Sequence, residues 1–239
     1  MGRNLNVAVV LGAGPGTGAA IARRFAREDF TVALMARAEA PLRAIEEDMR
    51  AQGRAAFAVR ADATDPASVA AAFAHVRAEA GDPTVFVYNV GDFPIAGILD
   101  ITPEQFESSW KTDCFGAFLG AREVLPAMVS AGRGTILLTG ATASLRGAAR
   151  FAGFAVGKFG LRALAQSMAR EFGPQGIHVA HVVLDGVIDT AEVRGFLPDR
   201  PADTLLSPDA IADVYWQLHA QDRRAWTHEL DLRPAVEKF

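Results

Sequence analysis

Residues 11–26 read LGAGPGTGAAIARRFA. The stretch follows a β-branched apolar run, Val7 to Leu11, and opens an alanine-rich segment with helical spacing of its apolar residues. Gly12, Gly16 and Gly18 are spaced GxxxGxG, with Pro15 and Thr17 between them; a GxGxxG spacing would need glycine at Thr17. A strand that turns through glycines into a helix brings free backbone N–H groups and the positive end of the helix dipole to one point. That geometry holds the pyrophosphate of a dinucleotide. A glycine-rich turn that only packs helix on strand has the same local composition, so the surrounding pattern decides between the two.

Outward from this turn, short β-branched runs alternate with long amphipathic stretches. The expected strands are Val7 to Leu11, Thr31 to Met35, Ala55 to Arg60, Thr84 to Asn89, Thr135 to Thr139, Ile177 to Val183 and Trp226 to Leu232. Helices are predicted from about Gly16, Pro41, Pro66, Pro103, Phe151 and Pro208, several with proline near the start, where a missing N–H costs nothing. Alternation of this kind specifies an α/β fold: a doubly wound, Rossmann-type three-layer sandwich on a seven-stranded parallel sheet, with helices on both faces. Residues 189–207, DTAEVRGFLPDRPADTLLS, look irregular and are a candidate lid.

Composition narrows the classes. A chain of 239 residues, half of them hydrophobic, suits a single domain over 1–239. A formal charge of −4 offers no basic surface for nucleic acid. The apolar block near the N-terminus is too short for a membrane span, and a soluble cytoplasmic protein with no membrane partner is expected. The single cysteine, Cys114, lies among Phe115, Ala117 and Phe118 and reads as core rather than nucleophile. His178 and His181 are an odd number of residues apart on one strand, so they point to opposite faces and cannot share a metal; no metal site is expected. No Gly-x-Ser-x-Gly turn and no P-loop lysine is present, which removes the common hydrolase and phosphoryl-transfer signatures.

The glycine spacing and the element pattern together resemble the short-chain dehydrogenase/reductase family over nearly the whole chain. Further marks come in order: YNVG, with Asn89, Val90 and Gly91 after the fourth strand, resembles the family's Asn-Ala-Gly turn. ADATDPASV puts Asp62 and Ala63 where the family contacts the adenine. Read without the resemblance, Asp62 is a strand-end or capping acid and Asn89 a turn residue. The end of the second strand bears on cofactor type: ALMARAEA has Arg37 but no acid at Ala36, so a ribose 2′-phosphate can be accepted and NADP is favoured over NAD. A solvated arginine, with Glu39 reaching the ribose instead, is the alternative.

The resemblance implies an active centre with a tyrosine four residues before a lysine, a serine upstream and an asparagine on the fourth helix. In FAGFAVGKFG the lysine is Lys158, but the tyrosine position holds Phe154; the family's spacing puts the serine at Ala141, beside Thr142, and the asparagine at Asp113. The chain therefore resembles an atypical subgroup. Phenylalanine has no proton to exchange, and the two tyrosines, Tyr88 and Tyr215, lie elsewhere. Lys158 is expected to hold the nicotinamide ribose, the alternative being a lysine that snorkels to solvent. Asp113 is expected to pair with it or to be a solvated helix acid. The resemblance extends less clearly to Thr190, because the chain is one residue longer before LDGVIDT, where the family has Pro-Gly. Two readings follow. One is an NADP-dependent oxidoreductase acting on a small apolar substrate near Ala141, Thr142 and Phe154, and the other a non-catalytic nucleotide-binding protein. The family's habit of pairing through its fourth and fifth helices, with the apolar excess of Phe115 to Val129 and Phe159 to Phe172, implies a homodimer or homotetramer.

Overall fold

The computed structural model describes residues 6–237. Seven strands form one sheet: β1 (Val7–Leu11), β2 (Thr31–Ala36), β3 (Ala56–Arg60), β4 (Val85–Tyr88), β5 (Gly134–Ala141), β6 (Ile177–Leu184) and β7 (Glu229–Leu232). Their order is β3-β2-β1-β4-β5-β6-β7 and every neighbouring pair is parallel. The α-helices are α1 (Thr17–Ala26), α2 (Glu39–Ala51), α3 (Pro66–Glu79), α4 (Pro103–Trp110), α5 (Gly116–Ala131), α6 (Ala152–Phe172), α7 (Ala191–Phe196) and α8 (Pro208–His219).

Apart from the edge strand β7, ELDL, the strands are largely apolar on both sides, as a sheet covered on both faces requires. Alternate residues serve opposite layers: Ala8 and Val10 of β1 pack with α1, α2 and α8, while Val7, Val9 and Leu11 pack with α3, α5 and α6. Three helices start where a side chain takes a free N–H and proline follows: Asp65 accepts from Ala67, Thr102 from Gln105 in a capping box, and Ser207 from Ala210.

Element ends shift by up to three residues, most at the last strand, which begins at Glu229 rather than Trp226, and two local features depart further from the sequence reading. The helix predicted from Pro103 is interrupted by a π turn over Lys111–Phe115 before it continues as α5. Tyr88, fully buried on β4, donates its hydroxyl to the Thr112 carbonyl, and a Cβ at Gly116 would collide with the Tyr88 hydroxyl oxygen. An insertion of this kind swings Asp113 inward. The run 103–131 has the length and composition of a membrane span. In the fold it lies against α3, α6 and the sheet, with Phe118 left exposed. The 189–207 stretch is not wholly irregular either: α7 lies in it, capped by Thr190, whose hydroxyl accepts from the Val193 N–H.

Candidate functional site

The strand order reverses between β1 and β4, and the crevice outside their carboxyl ends is where such a sheet binds ligands. A cavity of about 220 Å³ lies there, bounded by Gly12 and Gly14, by Arg37 past β2, by Asp62 past β3 and by Asn89 to Gly91 past β4. Gly12 has φ +96°, and a Cβ there would meet the Asn89 backbone at 2.5 Å; only glycine serves. Gly18 lets α1 press on the turn, since its Cβ would meet the Gly12 carbonyl at 2.2 Å.

A pyrophosphate fits this turn. Among the described residues no side chain caps α1, no acid sits in its first turn, and Gly14 has open space above it. Thr17 Oγ1 is buried without a hydrogen-bond partner among the described residues. These are unfilled donors at the positive end of a helix, and an anion satisfies them. The Thr190 methyl packs against Gly16, so α7 begins over the glycine turn. Arg37 is exposed at the cavity rim, with Asp62 within electrostatic reach. Burial alone would raise the Asp62 carboxyl, but the Thr64 N–H and hydroxyl, helped by Arg37 and Arg60, hold it below its usual value.

The floor is a chain of hydrogen bonds. Asn89 donates Nδ2–H to the Gly12 carbonyl (3.0 Å) and accepts from Thr139 Oγ1 (3.1 Å). Thr139 has only that one proton to give, so Tyr215, 2.8 Å away, donates to it. Neither Thr139 nor Tyr215 was singled out from sequence for this role; the link joins residues 50 and 76 positions apart.

Beyond the cavity the structure brings Lys158 and Asp113 together. Lys158 Nζ lies 3.3 Å from Asp113 Oδ1, and both side chains are buried, at 4% and 0% exposure. The ammonium also donates to the carbonyls of Val90 (3.2 Å) and Thr139 (3.0 Å). Its three N–H groups are thus all matched by acceptors of the chain. Asp113 Oδ1 accepts from the Asp92 N–H as well, while Oδ2 is buried without a partner among the described residues. Burial drives the Asp113 carboxyl up to about 6, against the pull of Lys158. Phe154 lies one turn before Lys158, its ring centroid 5.8 Å from Nζ and 5.9 Å from that of Phe93. Ala141 ends β5; the next residue, Thr142, donates its hydroxyl to Asp185 Oδ1, and Arg233 approaches the other oxygen at 3.4 Å. Sequence reading named Thr142 but not this partner.

His178 and His181 face opposite sides of β6. His178 stacks on Trp226 and hydrogen-bonds the Thr227 carbonyl; His181 meets Glu229 at 3.0 Å, and burial lowers it to about 4, so it is neutral. Cys114 is half-buried, and its desolvated thiol is raised above its ordinary value, which leaves little thiolate for nucleophilic chemistry.

Comparison with known proteins gives the same frame. The family model described as short chain dehydrogenase matches residues 6–200. The short-chain dehydrogenase/reductase eriH of Hericium erinaceus is 32% identical over 212 residues, 87% of this chain and 84% of its own. A short-chain dehydrogenase from Rhodopseudomonas palustris superposes with TM-score 0.82 at 40% identity, covering 96% of this chain and 98% of that one. A metagenomic short-chain oxidoreductase solved in complex with NADP gives 0.84 at 29% identity, covering 97% and 98%. With the parallel sheet, the glycine turn and the cavity at the switch point, these matches show that the chain belongs to the short-chain dehydrogenase family of nicotinamide-dependent oxidoreductases.

Proposed function

We propose that the protein is an NADP-dependent oxidoreductase of an atypical subgroup, in which Phe154 occupies the usual proton-donor position and the substrate is small and apolar. The observation that carries the cofactor choice is Arg37: exposed at the rim past β2, beside Ala36 rather than an acid, it suits a 2′-phosphate. A related oxidoreductase solved with NADP supports the reading. When bound, the nicotinamide supplies or accepts hydride. The chain's part is to hold the pyrophosphate at Pro15 to Gly18, flank the adenine with Asp62 and Ala63, and orient the nicotinamide end with Asn89 to Gly91 and Lys158. To reach the ribose, Lys158 must exchange one of its three present contacts. Phe93 and Phe154 offer ring faces to the substrate beside Ala141 and Thr142.

Titrating NADPH and NADH by fluorescence tests the assignment. Arg37→Ala should cost NADPH about 1.5 to 3 kcal/mol, roughly tenfold or more, and leave NADH unchanged. An unaltered preference refutes it. The engagement of all three Lys158 donors, with Phe154 beside them, favours a second reading, a non-catalytic cofactor-binding protein. Absence of hydride transfer from bound NADPH to any carbonyl, iminium or enone would select that reading.

We propose further that the protein forms a homodimer or homotetramer through α4, α5 and α6. Trp110, Phe115 and Phe118 stack in series with centroids 5.4 and 6.0 Å apart, and Phe118 and Phe159 remain exposed.

A further inference from the structure

The side-chain donors described around the reacting centre are either engaged within the chain or fully buried. Lys158 gives its protons to Val90, Thr139 and Asp113. Thr142 gives its only one to Asp185, which is itself buried. Ser144, the other hydroxyl of that turn, is fully buried and accepts the Ala141 N–H. The chain's two tyrosines are fully buried, Tyr88 bonded to Thr112 and Tyr215 to Thr139.

What remains available is the opposite kind of group. Thr142 Oγ1, its proton turned to Asp185, keeps lone pairs and accepts. Asp113 neutralises the ammonium, so Lys158 does not repel a second cation. The ring of Phe93, 63% exposed, presents its negative face, and Phe154, whose ring already faces Lys158 Nζ at 5.8 Å, lies 5.9 Å from it. Ile95 and Leu99 are also exposed on the loop after β4. The loop is tied to the start of α6 by the Ala96 N–H, which donates to the Arg150 carbonyl at 2.9 Å.

Hydride chemistry selects among acceptors on this basis. Hydride added to a ketone leaves an alkoxide, and hydride added to an enone leaves an enolate; each must take a proton, and among the described residues Lys158 and Thr142 are engaged and the other hydroxyls named are fully buried. Hydride added to the carbon of an iminium ion forms one C–H bond, the C=N π pair becomes the nitrogen lone pair, and the cation becomes a neutral amine. The reduced nicotinamide is oxidised and no proton moves. We infer that the site takes cationic C=N substrates, iminium ions with aromatic or apolar substituents, and reduces them with NADPH; the inference rests on the oxidoreductase reading above.

Three measurements on the full chain test it. NADPH binding by fluorescence comes first: its absence would overturn the oxidoreductase reading and this inference with it. Second, with NADPH bound, single-turnover loss of reduced-nicotinamide absorbance is followed with N-methyl-dihydroisoquinolinium and with α-tetralone, a neutral ketone of the same shape. The iminium should react and the ketone should be silent. Reduction of the ketone at a comparable rate, or no reaction of the iminium, overturns the inference and leaves NADP dependence standing. Third, calorimetry compares the unreactive cation N,N-dimethyl-tetrahydroisoquinolinium with its neutral carbon isostere. The cation should bind about tenfold tighter, as expected for a charge seated on aromatic faces. Equal affinities overturn the inference irrespective of turnover.

Discussion

Replacing Asp113 with asparagine gives a direct measure of what its burial costs. The change keeps the shape and the Oδ1 acceptor that receives the Asp92 N–H and faces Lys158, but removes the titration. Burial raises the Asp113 carboxyl from 3.8 to about 6, Lys158 pulling the other way. Because the folded carboxyl holds its proton more tightly than the unfolded one, it favours the fold at low pH. That contribution is lost as pH rises from about 4 through about 6. The displacement corresponds to about 3 kcal/mol over the full titration, of which about 2 kcal/mol falls between pH ~4.5 and ~7.5. Urea unfolding of the parent and Asp113→Asn at those two pH values, at one protein concentration, reads the gap. Relative to the variant, the parent should lose about 2 kcal/mol on going to the higher pH. A constant gap, or one that moves in the parent's favour, refutes the claim that desolvation outweighs the pull of Lys158.

Restoring the missing hydroxyls tests the active centre from the other side. Phe154→Tyr with Ala141→Ser puts an acidic hydroxyl one turn from the Lys158 ammonium, and ketone reduction should appear, at least about a hundredfold above the parent in a stopped-flow assay with NADPH. No gain with NADPH still bound would show a pocket reshaped beyond the hydroxyls. In sedimentation at micromolar concentration the parent should run as a dimer or tetramer, and Phe118→Glu should shift it toward monomer; a monomeric parent refutes the proposed interface.

The parts of the fold that were legible are those whose causes are local. The turn at Gly12 to Gly18, the strands of Val, Ala and Leu, and the capped starts at Pro66, Pro103 and Pro208 each carry their instructions within a few residues. The π turn was illegible because KTDCFGAF reads as unbroken helix and the hydroxyl that bonds the Thr112 carbonyl within it, that of Tyr88, comes from β4. Sequence raised the pairing of Asp113 with Lys158 only through the resemblance. The seat beneath Lys158 could not be read at all, since two of its three acceptors are backbone carbonyls, which have no residue identity. Thr142 was named but Asp185 was not, because they meet only where β5 and β6 end side by side.

That seat has a consequence of its own. Val90 follows β4 and Thr139 belongs to β5, so the Lys158 ammonium stitches together the ends of two adjacent strands from a helix that crosses beneath them. It acts as a resident counter-ion would, gathering carbonyl oxygens that water would otherwise have to solvate. A site can give up its acid hydroxyl, as at Phe154, and change its chemistry while the architecture stays intact. It cannot give up this lysine on the same terms: without it a buried carboxylate and two carbonyls lose their partner together, and the mouth of the crevice loses its clasp.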